Sequence, residues 1–68
     1  MTPTKSGLYW ARTHGYKWFN LIAEISGEAP FLSIATYDLM HKTFSHDVPS
    51  SAIVEWGPDI SKPNPKTA

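Results

Sequence analysis

The side chains of this 68-residue chain that could do chemistry are three histidines, six carboxylates and one Ser-His-Asp run. Their spacing decides against each use. Ser45, His46 and Asp47 are consecutive, and neighbouring residues on an extended strand point to opposite faces, so they cannot converge on one substrate atom as a catalytic triad must. A tetrahedral zinc site needs three or four ligands, whereas only His41 and His46 lie near each other, with Asp47 beside them. Glu24, Glu28, Asp38, Asp47, Glu55 and Asp59 are spread too widely for the sequence to mark two of them as an acid and a base across a cleft. Glycines at positions 7, 15, 27 and 57 form no phosphate-cradling run. The sequence predicts no enzyme, no metal site and no cofactor.

Recognition is the chemistry that remains. The stretch GLYWARTHGYKWFN, Gly7 to Asn20, holds Tyr9, Trp10, Tyr16, Trp18 and Phe19, with Arg12, His14 and Lys17 set among them. Aromatic rings of this kind either fill a core or make a contact surface. Which of the two each ring does depends on the elements that position it.

GLYWAR and KWFNLIAEI have the aromatic and branched composition of two strands, and His14-Gly15 between them supplies the conformational freedom of a tight hairpin turn. A loop of two residues, or of four from Thr13 to Tyr16, pairs Arg12 with Lys17, Trp10 with Phe19 and Leu8 with Leu21. Alternation then places Leu8, Trp10, Phe19, Leu21, Ala23 and Ile25 on a core face, and Tyr9, Ala11, Trp18, Asn20, Ile22 and Glu24 on the other. SGEAP is a turn that starts a third strand, FLSIATY, with Leu32 and Ile34 on one face. DLMHKTF admits a turn into a short fourth strand near Lys42 to Ser45, or one helical turn capped by Asp38; the turn and strand are preferred. AIVEW, Ala52 to Trp56, is the last strand, ending at Gly57-Pro58.

The expected fold is all-β: an antiparallel meander of four to five short strands, as a bent sheet or small SH3-like open barrel. Residues 1–6 form a flexible lead, 7–57 the domain, and 58–68 an extended Pro-rich tail. At this length a chain without disulfides barely buries enough surface to offset its conformational entropy, so self-association into a homo-oligomer is an alternative source of core. Six basic and six acidic residues give zero formal charge, which disfavours nucleic-acid binding by charge alone. The absence of cysteine, of a secretory leader and of a long apolar run fits a protein of the cytoplasm with no membrane segment.

On the proposed register Tyr9, Trp18 and Ile22 form an outer apolar patch, with Tyr16 at the hairpin tip and Arg12 and Lys17 at the end of the sheet. These six residues are the predicted binding surface. Arg12 opposite Lys17 is an unfavourable like-charge pair that calls for an acid, for which Glu55, Asp59 or a partner's acidic group are the candidates.

The run YWARTHGYKWFNLIAEI resembles the first hairpin of Tudor-like and other SH3-like small barrels. That resemblance implies an aromatic cage for a methylated amine, with Tyr16, Trp18, Tyr37 and Phe44 as the positions to test. The layout GLYWAR, KWFN, EISGEAPFL, EWGPDI also resembles small proteins of phages and prophages, which implies action by occupying a host or viral protein. The expected function is a small protein-binding module without enzymatic activity. Its alternatives are a single-stranded nucleic-acid-binding barrel, using Arg12, Tyr16 and Trp18, and a structural subunit completed by self-association.

Overall fold

A computed structural model describes residues 2–67. The alternating aromatic and branched segments form β1 (Gly7–Thr13), β2 (Leu21–Glu28), β3 (Phe31–Asp38), β4 (Thr43–Ser45) and β5 (Ile53–Asp59). They make one open antiparallel sheet in the order β4-β3-β2-β1-β5. A single 3-10 turn at Ser50–Ala52 precedes β5. The expected all-β meander is therefore the fold, with the fifth strand returned to the far edge beside β1. Two register shifts in the β1 and β5 pairing bend that edge, as extra residues in one strand of a ladder do.

Each element differs from its sequence expectation at an end. β2 starts at Leu21 rather than Lys17 and runs through Ser26, Gly27 and Glu28, which were expected to be turn. Only Ala29 and Pro30, joined by a cis peptide bond, separate Glu28 from its partner Phe31. Gly27 makes that closure feasible, since its φ is +91° and a Cβ there would lie 2.5 Å from the Phe31 carbonyl oxygen. The fourth strand is present but limited to Thr43–Ser45, and Asp38 caps the turn before it by accepting hydrogen bonds from the Met40 and His41 amides. β5 passes through Gly57-Pro58 to Asp59 instead of stopping at Trp56.

The β1 and β2 register is the principal correction. Leu8 faces Glu24, Tyr9 faces Ala23, Trp10 faces Ile22 and Ala11 faces Leu21, three residues away from the expected pairing. An odd shift exchanges the faces of one strand relative to the other. Tyr9 and Ala11 thus join Leu21, Ala23 and Ile25 on the inner face, while Leu8, Trp10 and Arg12 share the outer face with Ile22 and Glu24. The predicted turn does form, with Tyr16 N–H donating to the Thr13 carbonyl and Gly15 at φ +95°. It is not the end of the loop, however, because Lys17 to Asn20 make a further excursion before β2 begins.

Two burials hold that excursion. Asn20 is 1% exposed; its side chain accepts from the Thr13 amide at 3.0 Å and donates to Thr13 Oγ1 at 2.9 Å, while its carbonyl takes the Leu39 amide. Phe19, also buried, packs its ring where a Cβ on Gly57 would sit. The inner-face core is Ala11, Leu21, Ala23, Ile25, Ile34 and Ile53, with Trp56 packed against its centre. The link from β4 to β5 carries Val48, Pro49 and Ser50 opposite Ile25, Leu32 and Ile34, and Val48 N–H bonds to the Ile34 carbonyl.

Residues 60–67 do not trail away from the sheet. Trp10 Nε1 donates to the Lys62 carbonyl at 2.9 Å, Phe19 N–H to the Lys66 carbonyl at 2.8 Å, and Asn64 Nδ2 to the Phe19 carbonyl at 3.2 Å. This strap and the Phe19 ring cover the outer face at the β1 and β5 end. The other end of that face is left open.

Candidate outer-face groove

The open end is built by cross-strand registry. Trp10, Ile22, Tyr37 and Phe44 stand opposite one another across β1 to β4, and Leu8, Glu24 and Ala35 form the next row. Between the rows lies a groove of about 300 Å³ lined by Leu8, Ile22, Glu24, Ala35, Thr36, Tyr37, Phe44 and His46. Tyr37 and Phe44 form a tilted ring pair with centroids 4.8 Å apart and planes at 51°. Phe44 is 74% exposed and Leu8 39%, so apolar surface that the fold could have buried is in contact with solvent.

Among the described residues Glu24 is the one carboxylate on the groove. It makes no ion pair and accepts no side-chain hydrogen bond among the described residues, whereas Glu55 is doubly engaged. Among the described residues no lysine or arginine lines the groove, whose one basic side chain is His46.

The six predicted binding residues are distributed over three places. Ile22 is in the groove. Tyr9 is on the inner face, edge-on to Trp56 with centroids 6.2 Å apart, and its hydroxyl donates to the Lys5 carbonyl. Tyr16 and Trp18 form a second edge-to-face pair, 5.9 Å between centroids, in the β1–β2 loop. Trp18 lines a separate depression of about 200 Å³ with Leu39, Met40, Asn64 and Thr67, and Lys17 beside it is exposed. The four rings expected to share one cage therefore sit as two separate pairs.

Arg12 has found its acid within the chain. Its Nε donates to Glu55 Oε1 at 2.8 Å and its terminal nitrogen to the Tyr16 carbonyl at 2.7 Å. Glu55 is one of the two internal partners anticipated for it, and β5 places it directly opposite Arg12. Lys66 Nζ holds the second oxygen of Glu55 at 2.6 Å and lies 5.5 Å from the centre of the Phe19 ring. Hydrogen bonds from Lys66 and from Arg12 keep the Glu55 carboxyl below its ordinary pKa.

His41, Asp38 and Asp59 serve local structure. Asp38 is pushed up by partial desolvation, but bonds from the His41 amide and ring and the Met40 amide outweigh this and leave its pKa lowered. The Ser61 amide lowers that of Asp59 in the same way. Among the described residues no three His, Cys, Asp or Glu side chains gather as a metal site, and no helix is long and apolar enough to cross a membrane. Of the groove residues, Ile22, Tyr37 and Phe44 are contact candidates in the sequence; Leu8, Glu24, Ala35, Thr36 and His46 are not. The signal for Leu8 was Arg12, which shares its strand face and marks that face as outward.

Comparison with protein-family models, with curated proteins and with solved structures finds no match to this chain.

Proposed function

We propose that this protein is a small non-enzymatic binding module that engages another protein through the outer-face groove. The observation that carries the reading is the exposure of Phe44, at 74%, on a groove also lined by Leu8, Ile22 and Tyr37. Contiguous exposed apolar surface marks contact sites, and aromatic side chains are enriched in protein interfaces. The likeness to small phage and prophage proteins adds that the partner is a host or viral protein whose surface is occupied.

The nucleic-acid alternative is weakened by the commitment of Arg12 to Glu55 and the Tyr16 carbonyl, which removes the grip expected beside Trp18. The groove reading is tested by capture from a host lysate with Phe44→Ala and Trp18→Ala in parallel. Loss of the captured protein with Phe44→Ala alone supports the groove. Loss with Trp18→Ala alone moves the contact to the β1–β2 loop and overturns it.

A further inference from the structure

The groove joins three features that do not otherwise need to occur together. Its walls present the Tyr37 and Phe44 rings, with Phe44 open to solvent. Its floor is apolar, from Leu8 and Ile22. One carboxylate, Glu24, stands on it without an ionic partner among the described residues, two positions along β2 from Ile22, the cross-strand neighbour of Tyr37. A carboxylate diagonal to a ring on adjacent antiparallel strands is within reach of the same bound group.

We propose that the groove takes an arginine side chain of the partner protein. The proposal rests on the reading of the groove as a protein-binding site. A positive charge complements Glu24, the one carboxylate among the described residues of the groove, where no lysine or arginine of this chain stands and His46 is the sole basic side chain. A planar cation is favoured over a compact one. The guanidinium stacks on an aromatic face while its fork bonds a carboxylate, and it is more weakly hydrated than an ammonium, so an open groove suffices. A lysine ammonium is strongly hydrated and gains most when rings enclose it, and here the other ring pair, Tyr16 and Trp18, is elsewhere. A volume of about 300 Å³ lies at the lower limit of ligand sites and suits one side chain, whose methylene stem would lie on Leu8 and Ile22.

The test uses the full chain, labelled for amide NMR, titrated with four Gly/Ser peptides that differ at one central position: arginine, citrulline, lysine or leucine. The arginine peptide is expected to shift the amides of Leu8, Ile22 to Glu24, Ala35 to Tyr37 and Phe44. Citrulline, uncharged and nearly the same shape, should bind about tenfold or more weakly, the scale of one lost charge-assisted hydrogen bond. Lysine should fall between them. Glu24→Gln should erase the preference for arginine over citrulline, whereas Glu28→Gln, on the same strand but outside the groove, should keep it. Shifts in the groove that are equal for leucine, citrulline and arginine would retain protein binding there and defeat the arginine assignment. Shifts centred on Tyr16, Lys17 and Trp18, or none with any peptide, would overturn both.

Discussion

Phe19 and Gly57 occupy one another's space: a Cβ added to Gly57 would lie 2.8 Å from both Cε2 and Cζ of the Phe19 ring, and 3.1 Å from Trp10 Cβ. The ring is the floor on which the C-terminal strap rests, since the backbone of Phe19 bonds Lys66 and Asn64. Gly57→Ala should therefore act on two elements at once. Overpacking of this kind costs about 1–3 kcal/mol. The expected outcome is a lower denaturation midpoint together with faster hydrogen exchange at the Phe19 amide.

Asn20 replaces a rung of the β1 and β2 ladder with its side chain. Asn20→Ala leaves the Thr13 amide without the oxygen it bonds at 3.0 Å, and should destabilise the fold by about 1–3 kcal/mol. Asn20→Asp keeps the acceptor for that amide and removes the donor to Thr13 Oγ1. It also buries a carboxylate at a site that is 1% exposed, so it should be clearly less stable than wild type in urea unfolding at neutral pH and recover part of that loss in acid.

The strap should loosen in acid. Glu55 is held below its ordinary pKa, chiefly by the hydrogen bond from Lys66 and then by that from Arg12, so the folded state binds this proton less readily than the unfolded one. Its contribution is complete above about 4.3, the ordinary glutamate value, and is lost as pH falls through the lowered folded pKa. The Trp10 indole N–H, bonded to the Lys62 carbonyl, should exchange faster across that window, and Lys66→Met should flatten the response.

Two apolar truncations should separate groove from core. Ile25, 1% exposed on the inner face, should cost about 2–5 kcal/mol on replacement by Ala. Phe44→Ala removes a ring that is 74% exposed but paired with Tyr37 across the strands, and should cost no more than about 1 kcal/mol, while reducing partner capture. A large loss of stability with Phe44→Ala would place that ring in the fold rather than on a binding surface.

β3 was legible because Leu32 and Ile34 alternate with polar or exposed neighbours, and their strand ends at a capping aspartate. β1 was not, although its strand character was plain. The Thr13 to Tyr16 turn is real, but a turn fixes register only when the strands begin at its ends, and here four more residues intervene. The polar Asn20 inside the apolar run WFNLI was the local sign of that interruption. Glu24 became notable only when β3 supplied Tyr37 and β4 supplied Phe44 around it, and no spacing within one strand carries that information.

An unclosed sheet keeps two edges, and each is a template on which another chain could crystallise into a fibre. β4 presents only three residues at one edge, and the Ile34 carbonyl beyond it is already taken by Val48. β5 at the other edge is broken by two register shifts and carries Pro58, which has no N–H to donate. Replacing Pro58 with a donor, or lengthening β4, would remove features that oppose edge-to-edge pairing of sheets.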